Sequence, residues 1–110
     1  MSKILPLDEL ASVIAKHKAE GKRVALCHGC FDLLHLGHMK HFEAAKKDAD
    51  VLIVTVTPDC FVNKGPGRPV FTETLRMEAI AALGAVDYVG LNKWETAIET
   101  IKLLKPDLYV

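Results

Sequence analysis

A chain of 110 residues, half of them hydrophobic and a quarter charged, has the size of one domain, read here as residues 1–110, and its apolar content excludes disorder in favour of a soluble α/β or α+β core. Fourteen Lys and Arg balance fourteen Asp and Glu, so no global field draws in nucleic acid or an anionic membrane, and any anion must be held by a local site. Three cysteines are too few for a disulfide framework, MSKILPLDEL carries no signal-peptide pattern, and nothing approaches a membrane span, which together predict a cytoplasmic setting.

Residues 8–20, DELASVIAKHKAE, set Leu10, Val13 and Ile14 at helical spacing behind Asp8 and Glu9, with Gly21 just past the end, and predict a first helix. KRVALCHG is a short run of strand formers ending at Gly29, predicting a strand over 23–28. HLGHMKHFEAAKKDAD resumes a helical pattern, with Met39, Phe42 and Ala45 on one side and lysines gathering where the helix dipole favours them. VLIVTVT is apolar on both faces until its end, the pattern of a strand in a parallel sheet covered from both sides, and Pro58 stops it. PDCFVNKGPGRPVF, with two Gly and three Pro, predicts a surface loop with at most a turn of helix, and it carries Lys64 and Arg68.

Thr72 stands where it can cap a third helix, ETLRMEAIAAL, with Leu75, Ala79 and Ala82 expected to face inward and Gly84 to close it. VDYVGL reads as a third strand, WETAIETIKLL as a fourth helix, and DLYV after Pro106 as a last strand-like segment. Strand and helix alternate, which predicts a Rossmann-like parallel sheet with helices on both faces. DLYV stops where a strand interior is expected, so the domain is read as truncated after its fourth strand.

The densest chemistry lies in CHGCFDLLHLGH, residues 27–38. Cys27, Cys30, His35 and His38 match the ligand count of a zinc site, but only four residues separate the two pairs, where structural zinc usually has a dozen or more, so no metal is expected on these side chains. A thiol-redox reading needs the reactive Cys at a helix start, whereas alternation points Cys27 into the core, where a free Cys behaves as a small hydrophobe. The third reading is an anion cradle. The stretch is the turn after the first strand plus the start of the next helix, where unpaired amides and the helix dipole suit phosphate. His35 and His38, three apart, share one face of the first helical turn, and Gly37 between them removes a Cβ that would hold a phosphate off the backbone. His17 and His41 are read as ordinary solvated residues, and nothing is assigned to Trp94.

GCFDLLHLGH resembles the glycine-phenylalanine-aspartate turn and HxGH signature of the cytidylyltransferase-like nucleotidyltransferases. The resemblance continues through VNKGPGRPV, Arg76 and VDYV, covering nearly the whole chain after residue 22. Within the superfamily it is most similar to sugar-phosphate adenylyl- or cytidylyltransferase domains, the heptose-phosphate type often fused to a sugar kinase, and to glycerol-3-phosphate cytidylyltransferase. The resemblance implies direct transfer of a nucleoside monophosphate from ATP or CTP, with Mg2+, to a small phosphorylated sugar or polyol, and release of pyrophosphate. It implies that His35, His38, Lys64 and Arg76 are catalytic, and that Gly29, Cys30, Phe31, Asp32, His35, Gly37 and His38 form the nucleotide-binding turn. Asp32 would orient the histidine end of that turn or approach the nucleotide or its metal, and Arg68 is added as a further phosphate contact. A homodimer and fusion to a sugar kinase in a longer protein are also implied. The family's later base-contacting segment and its serine- and threonine-rich motif have no counterpart before Val110, so a nucleotide-binding module without turnover is the alternative, with a Cys/His metal or thiol module behind it.

Overall fold

The computed structural model describes residues 3–62 and 65–110, so Lys64 lies outside the described residues. Its elements are α1 (Leu7–Ala19), β1 (Val24–Gly29), α2 (Leu36–Lys47), β2 (Val51–Val56), α3 (Glu73–Ala81), β3 (Tyr88–Leu91), α4 (Ile98–Leu104) and β4 (Leu108–Tyr109), with a 3₁₀ turn over Asp59–Phe61. The strands form one parallel sheet in the order β3-β2-β1-β4. β1 and β2 pair along their whole length, from Val24 opposite Val51 to Gly29 opposite Val56.

Side chains alternate across a strand, and each set finds its own helices. Val24, Leu26, Val51 and Ile53 pack with Leu7, Leu10 and Ile14 of α1 and Leu104 of α4. Ala25, Cys27, Leu52, Val54 and Val56 pack on the other face with Phe42 and Ala45 of α2 and Met77 and Ile80 of α3. Burial on both faces is why β2 shows no polar alternation, and it makes the Rossmann-like expectation correct. No described helix is long and apolar enough to cross a membrane.

β1 leads to β2 on one side, while β4 arrives on its other side, so the strand order reverses at β1. In open parallel sheets the crevice outside the carboxyl ends at such a point is where ligands bind. The end of β1 is Gly29, and the CFDLLH turn leaves from there.

Two elements depart from their sequence reading. In α3 the inward face is Arg76, Met77 and Ile80, whereas Leu75 is 51% exposed and Ala79 and Ala82 are exposed. Apolar periodicity misplaces this helix because a charged residue holds the interior position. Gly84 has nothing within reach of an added Cβ and does not adopt the left-handed conformation of a closing glycine. α4 starts at Ile98 rather than 94, because the buried Asn92 side-chain amide donates to the Trp94 and Thr96 carbonyls (2.7 and 2.8 Å) and holds 92–97 in a separate turn.

Candidate active site

The turn after β1 is shaped by close approach. A Cβ on Gly29 would come within 2.8 Å of the Phe31 ring, and Phe31 itself takes a left-handed φ of 51°. The Phe31 ring meets His38 and Phe42 edge-on, each at 5.2 Å between centroids, and so ties the turn to the first two turns of α2.

His35 is the N-cap of α2, and the two histidines cap reciprocally. The Gly37 amide donates to His35 Nδ1 (3.0 Å), and the His35 amide donates to His38 Nδ1 (3.3 Å). The rings stack with centroids 4.0 Å apart and planes 28° from parallel. An Nδ1 that accepts must be unprotonated, so each neutral imidazole carries its hydrogen on Nε2 and offers it as a donor. No acidic residue stands in the first turn of α2, so no local carboxylate offsets the positive end of its dipole. Gly37 has a different reason from the one its sequence suggests. An added Cβ would lie 2.7 Å from His35 Cε1, so the glycine makes room for the cap's own ring.

Asp32 is 3% exposed and accepts three bonds: from Arg68 Nε (2.7 Å), the Val70 amide (2.8 Å) and the Phe71 amide (2.9 Å). It therefore anchors the 65–71 loop and carries Arg68, and does not orient the histidine end of the turn or hold an oxygen free for a metal. Among the described residues no group of three or more His, Cys, Asp or Glu is arranged to hold an ion. Arg76 is also displaced from its expected place, being 2% exposed with its guanidinium inside the fold, bonded to Phe71, Cys30, Thr57 and Asp59.

A cleft of about 410 Å³ gathers Gly29, Cys30, Phe31, Asp32, Leu33, His35, His38 and Arg68. The cleft thus brings together Gly29, Cys30, Phe31, Asp32, both histidines and Arg68, while neither Gly37 nor Arg76 lines it. Arg68 is held only through Nε, and its two terminal nitrogens make no hydrogen bond to a described residue. Three residues that sequence reasoning passed over also shape this end of the sheet. His28 Nδ1 bonds Thr55 Oγ1 (2.9 Å), and Asp59 pairs with Arg76. Only their position at strand carboxyl ends signalled them.

Electrostatics follow burial and partners. Burial pushes the Cys27 thiol up to about 11, which keeps it protonated in the core. Burial lowers His28 more than its bond to Thr55 raises it, so the ring favours the neutral form. For Asp32, burial acts upward, but the Phe71 and Val70 amides and the Arg68 guanidinium outweigh it and hold the carboxyl at about 2. A depressed carboxyl contributes stability that is present above its unfolded value, near 4, and is lost as pH falls through its folded value. Asp32→Asn is accordingly expected to destabilise the chain at neutral pH, with the gap to the parent closing between about pH 4 and pH 2. Urea unfolding across that range checks it, and a gap that persists at pH 2 would remove the charge from the argument.

Comparison with known proteins places the geometry among relatives. A sequence family described as cytidylyltransferase-like matches residues 26–110. The bifunctional protein HldE of Citrifermentans bemidjiense is 43% identical over 99% of this chain and 23% of its own length. That of Sulfurimonas denitrificans is 43% identical over 94% of this chain and 22% of its own. The chain thus spans about a quarter of the length of the curated relatives it matches. Among solved structures, a lipopolysaccharide core biosynthesis protein from Thermoplasma volcanium GSS1 superposes with a TM-score of 0.74 at 32% identity, covering 81% of this chain and 73% of that one.

Proposed function

The chain belongs to the cytidylyltransferase-like family, and from that premise we propose that it transfers a nucleoside monophosphate from ATP or CTP to a small phosphorylated sugar or polyol, releasing pyrophosphate. The observation that carries this reading is the reciprocal His35–His38 cap, which engages Nδ1 of both rings at the N-terminus of α2 and sets the two imidazoles in one cleft.

An oxygen of the acceptor phosphate attacks the α-phosphorus, the bond from that phosphorus to the bridging oxygen breaks, and the electron pair leaves with pyrophosphate. No side chain need form a covalent bond. The protein's part is to align the triphosphate and to meet charge as it moves toward the leaving group. His35 and His38 donate from Nε2 to the α- and β-phosphates, the first amides of α2 supply partial positive charge, and Arg68 brings a guanidinium to the cleft mouth. Lys64 remains a proposed triphosphate contact. Mg2+ would come with the triphosphate and supply neutralising charge; the buried Asp32 carboxylate, already accepting three bonds, is not offered to it. A sugar phosphate acceptor is supported by the relative named for lipopolysaccharide core biosynthesis, and a second activity in a longer protein by the bifunctional relatives.

Pyrophosphate release, screened with ATP and CTP against a panel of sugar and polyol phosphates, tests the reading. Release that requires both a triphosphate and an acceptor is expected. Nucleotide binding without release for any pair would make the chain a binding module instead.

The cysteines give a separate expectation. Cys27→Ala combined with Cys30→Ser should leave metal content nearly unchanged, with a modest packing loss from the buried Cys27. Stoichiometric zinc in the parent that disappears in this double variant would restore the metal reading.

A further inference from the structure

We propose that Arg76 is a positioning residue, which sets where Arg68 stands at the cleft mouth through Phe71 and Asp32 and does not itself touch phosphate; this rests on the nucleotidyl-transfer reading. The last rung between β1 and β2 is the Thr57 amide donating to the Gly29 carbonyl (3.0 Å). Beyond it the two chains part, and Arg76 Nη1 takes over, donating to both the Cys30 and Thr57 carbonyls at 2.8 Å. Nη2 donates to Asp59 Oδ1 (2.7 Å), and Nε to the Phe71 carbonyl (3.1 Å).

Phe71 is the relay. Its carbonyl is held by Arg76, and its amide donates to Asp32 Oδ1, while Asp32 Oδ2 accepts from the Val70 amide and from Arg68 Nε. A shift of the guanidinium therefore moves Phe71, the residue whose amide registers Asp32 and, with it, Arg68. Four of the five guanidinium N–H groups are engaged inside the fold, one of them by the carboxylate that compensates the charge, and Arg76 is 2% exposed, so bringing it out to a phosphate would break bonds of a buried cation. The planar fork meets four oxygens in three directions, which a lysine ammonium cannot reproduce.

The test combines amide hydrogen exchange with ATP calorimetry on the parent, Asp59→Ala, Arg68→Met and the double variant. Asp59 is partly exposed, so its truncation loosens Arg76 without opening the core. Asp59→Ala is expected to speed exchange at the Val70 and Phe71 amides and to weaken ATP binding, each by about tenfold, the scale of coupling within one hydrogen-bonded network. In the Arg68→Met background the same change should leave ATP binding as it stands, because the effect runs through Arg68. Arg76→Lys should fail to preserve affinity although it keeps the charge, and if that variant does not fold the Asp59 series decides alone. Additive losses, unchanged exchange, or tighter ATP binding once Asp59 is gone would each overturn the proposal and return Arg76 to the phosphates. A parent chain that binds neither ATP nor CTP would sink the transferase reading, while the exchange rates would still decide whether Arg76 holds the loop.

Discussion

His38→Ala is expected to lower turnover by about a hundredfold or more, the usual cost of removing one preorganised donor to transition-state charge, while the chain stays folded. The two consequences separate because the ring has two edges. Nδ1 accepts from the His35 amide at an exposed helix start, a bond whose loss costs about 1 kcal/mol, within the reach of a domain of this size. Nε2 is the edge that the transferase reading assigns to the triphosphate. The same division predicts how His35 behaves. His35→Asn places an amide oxygen where Nδ1 was and keeps a cap, since Asn is among the best N-cap residues, yet it has no donor at the Nε2 position. It should match the parent in urea unfolding and fall with His38→Ala in pyrophosphate release. A His38→Ala chain that unfolds, or one that keeps full turnover, would make the histidines caps only.

How much of this was legible in the sequence depends on the range of the interactions. β2 announced itself because six consecutive residues are buried on two faces, and α2 because Phe42 and Ala45 recur at helical spacing against the same core. The His35–Gly37–His38 cap was legible as a cluster because all its partners lie within three residues. Arg76 was not, since apolar periodicity counts hydrophobes, and the acceptors that draw its guanidinium inward come from three separate stretches of the chain, at Cys30, at Thr57 and Asp59, and at Phe71. Asp32 was read toward its near neighbours, whereas its three donors arrive from 36 to 39 residues away. The start of α4 was read four residues early for a similar reason. Asn92 captures two carbonyls that a helix from 94 would need, and that choice depends on the buried side chain, which also accepts from the Thr100 hydroxyl.

Gly37→Ala is expected to abolish most turnover with little change in stability. The new Cβ would stand 2.7 Å from His35 Cε1 and 3.0 Å from Nδ1, closer than carbon atoms tolerate. The His35 ring is exposed and can swing away, so the clash itself costs little. Swinging away breaks the Gly37 amide bond to Nδ1 and the stack on His38, which removes an N-cap worth about 1 kcal/mol. Alanine at a helix position in place of glycine returns a similar amount, about 1 kcal/mol, so the two changes offset in the unfolding free energy. Nothing offsets the loss at the cleft. Both Nε2–H donors were held by that cap and that stack, and a displacement of about 1 Å in an aligning group is enough for a hundredfold drop in rate. Gly84→Ala provides the matched control, because an added Cβ there meets nothing within 4 Å and the residue lies outside the cleft. Steady-state pyrophosphate release and urea unfolding on the two variants decide it: parent-like turnover in Gly37→Ala would show that the spacing of the histidine rings does not govern the chemistry.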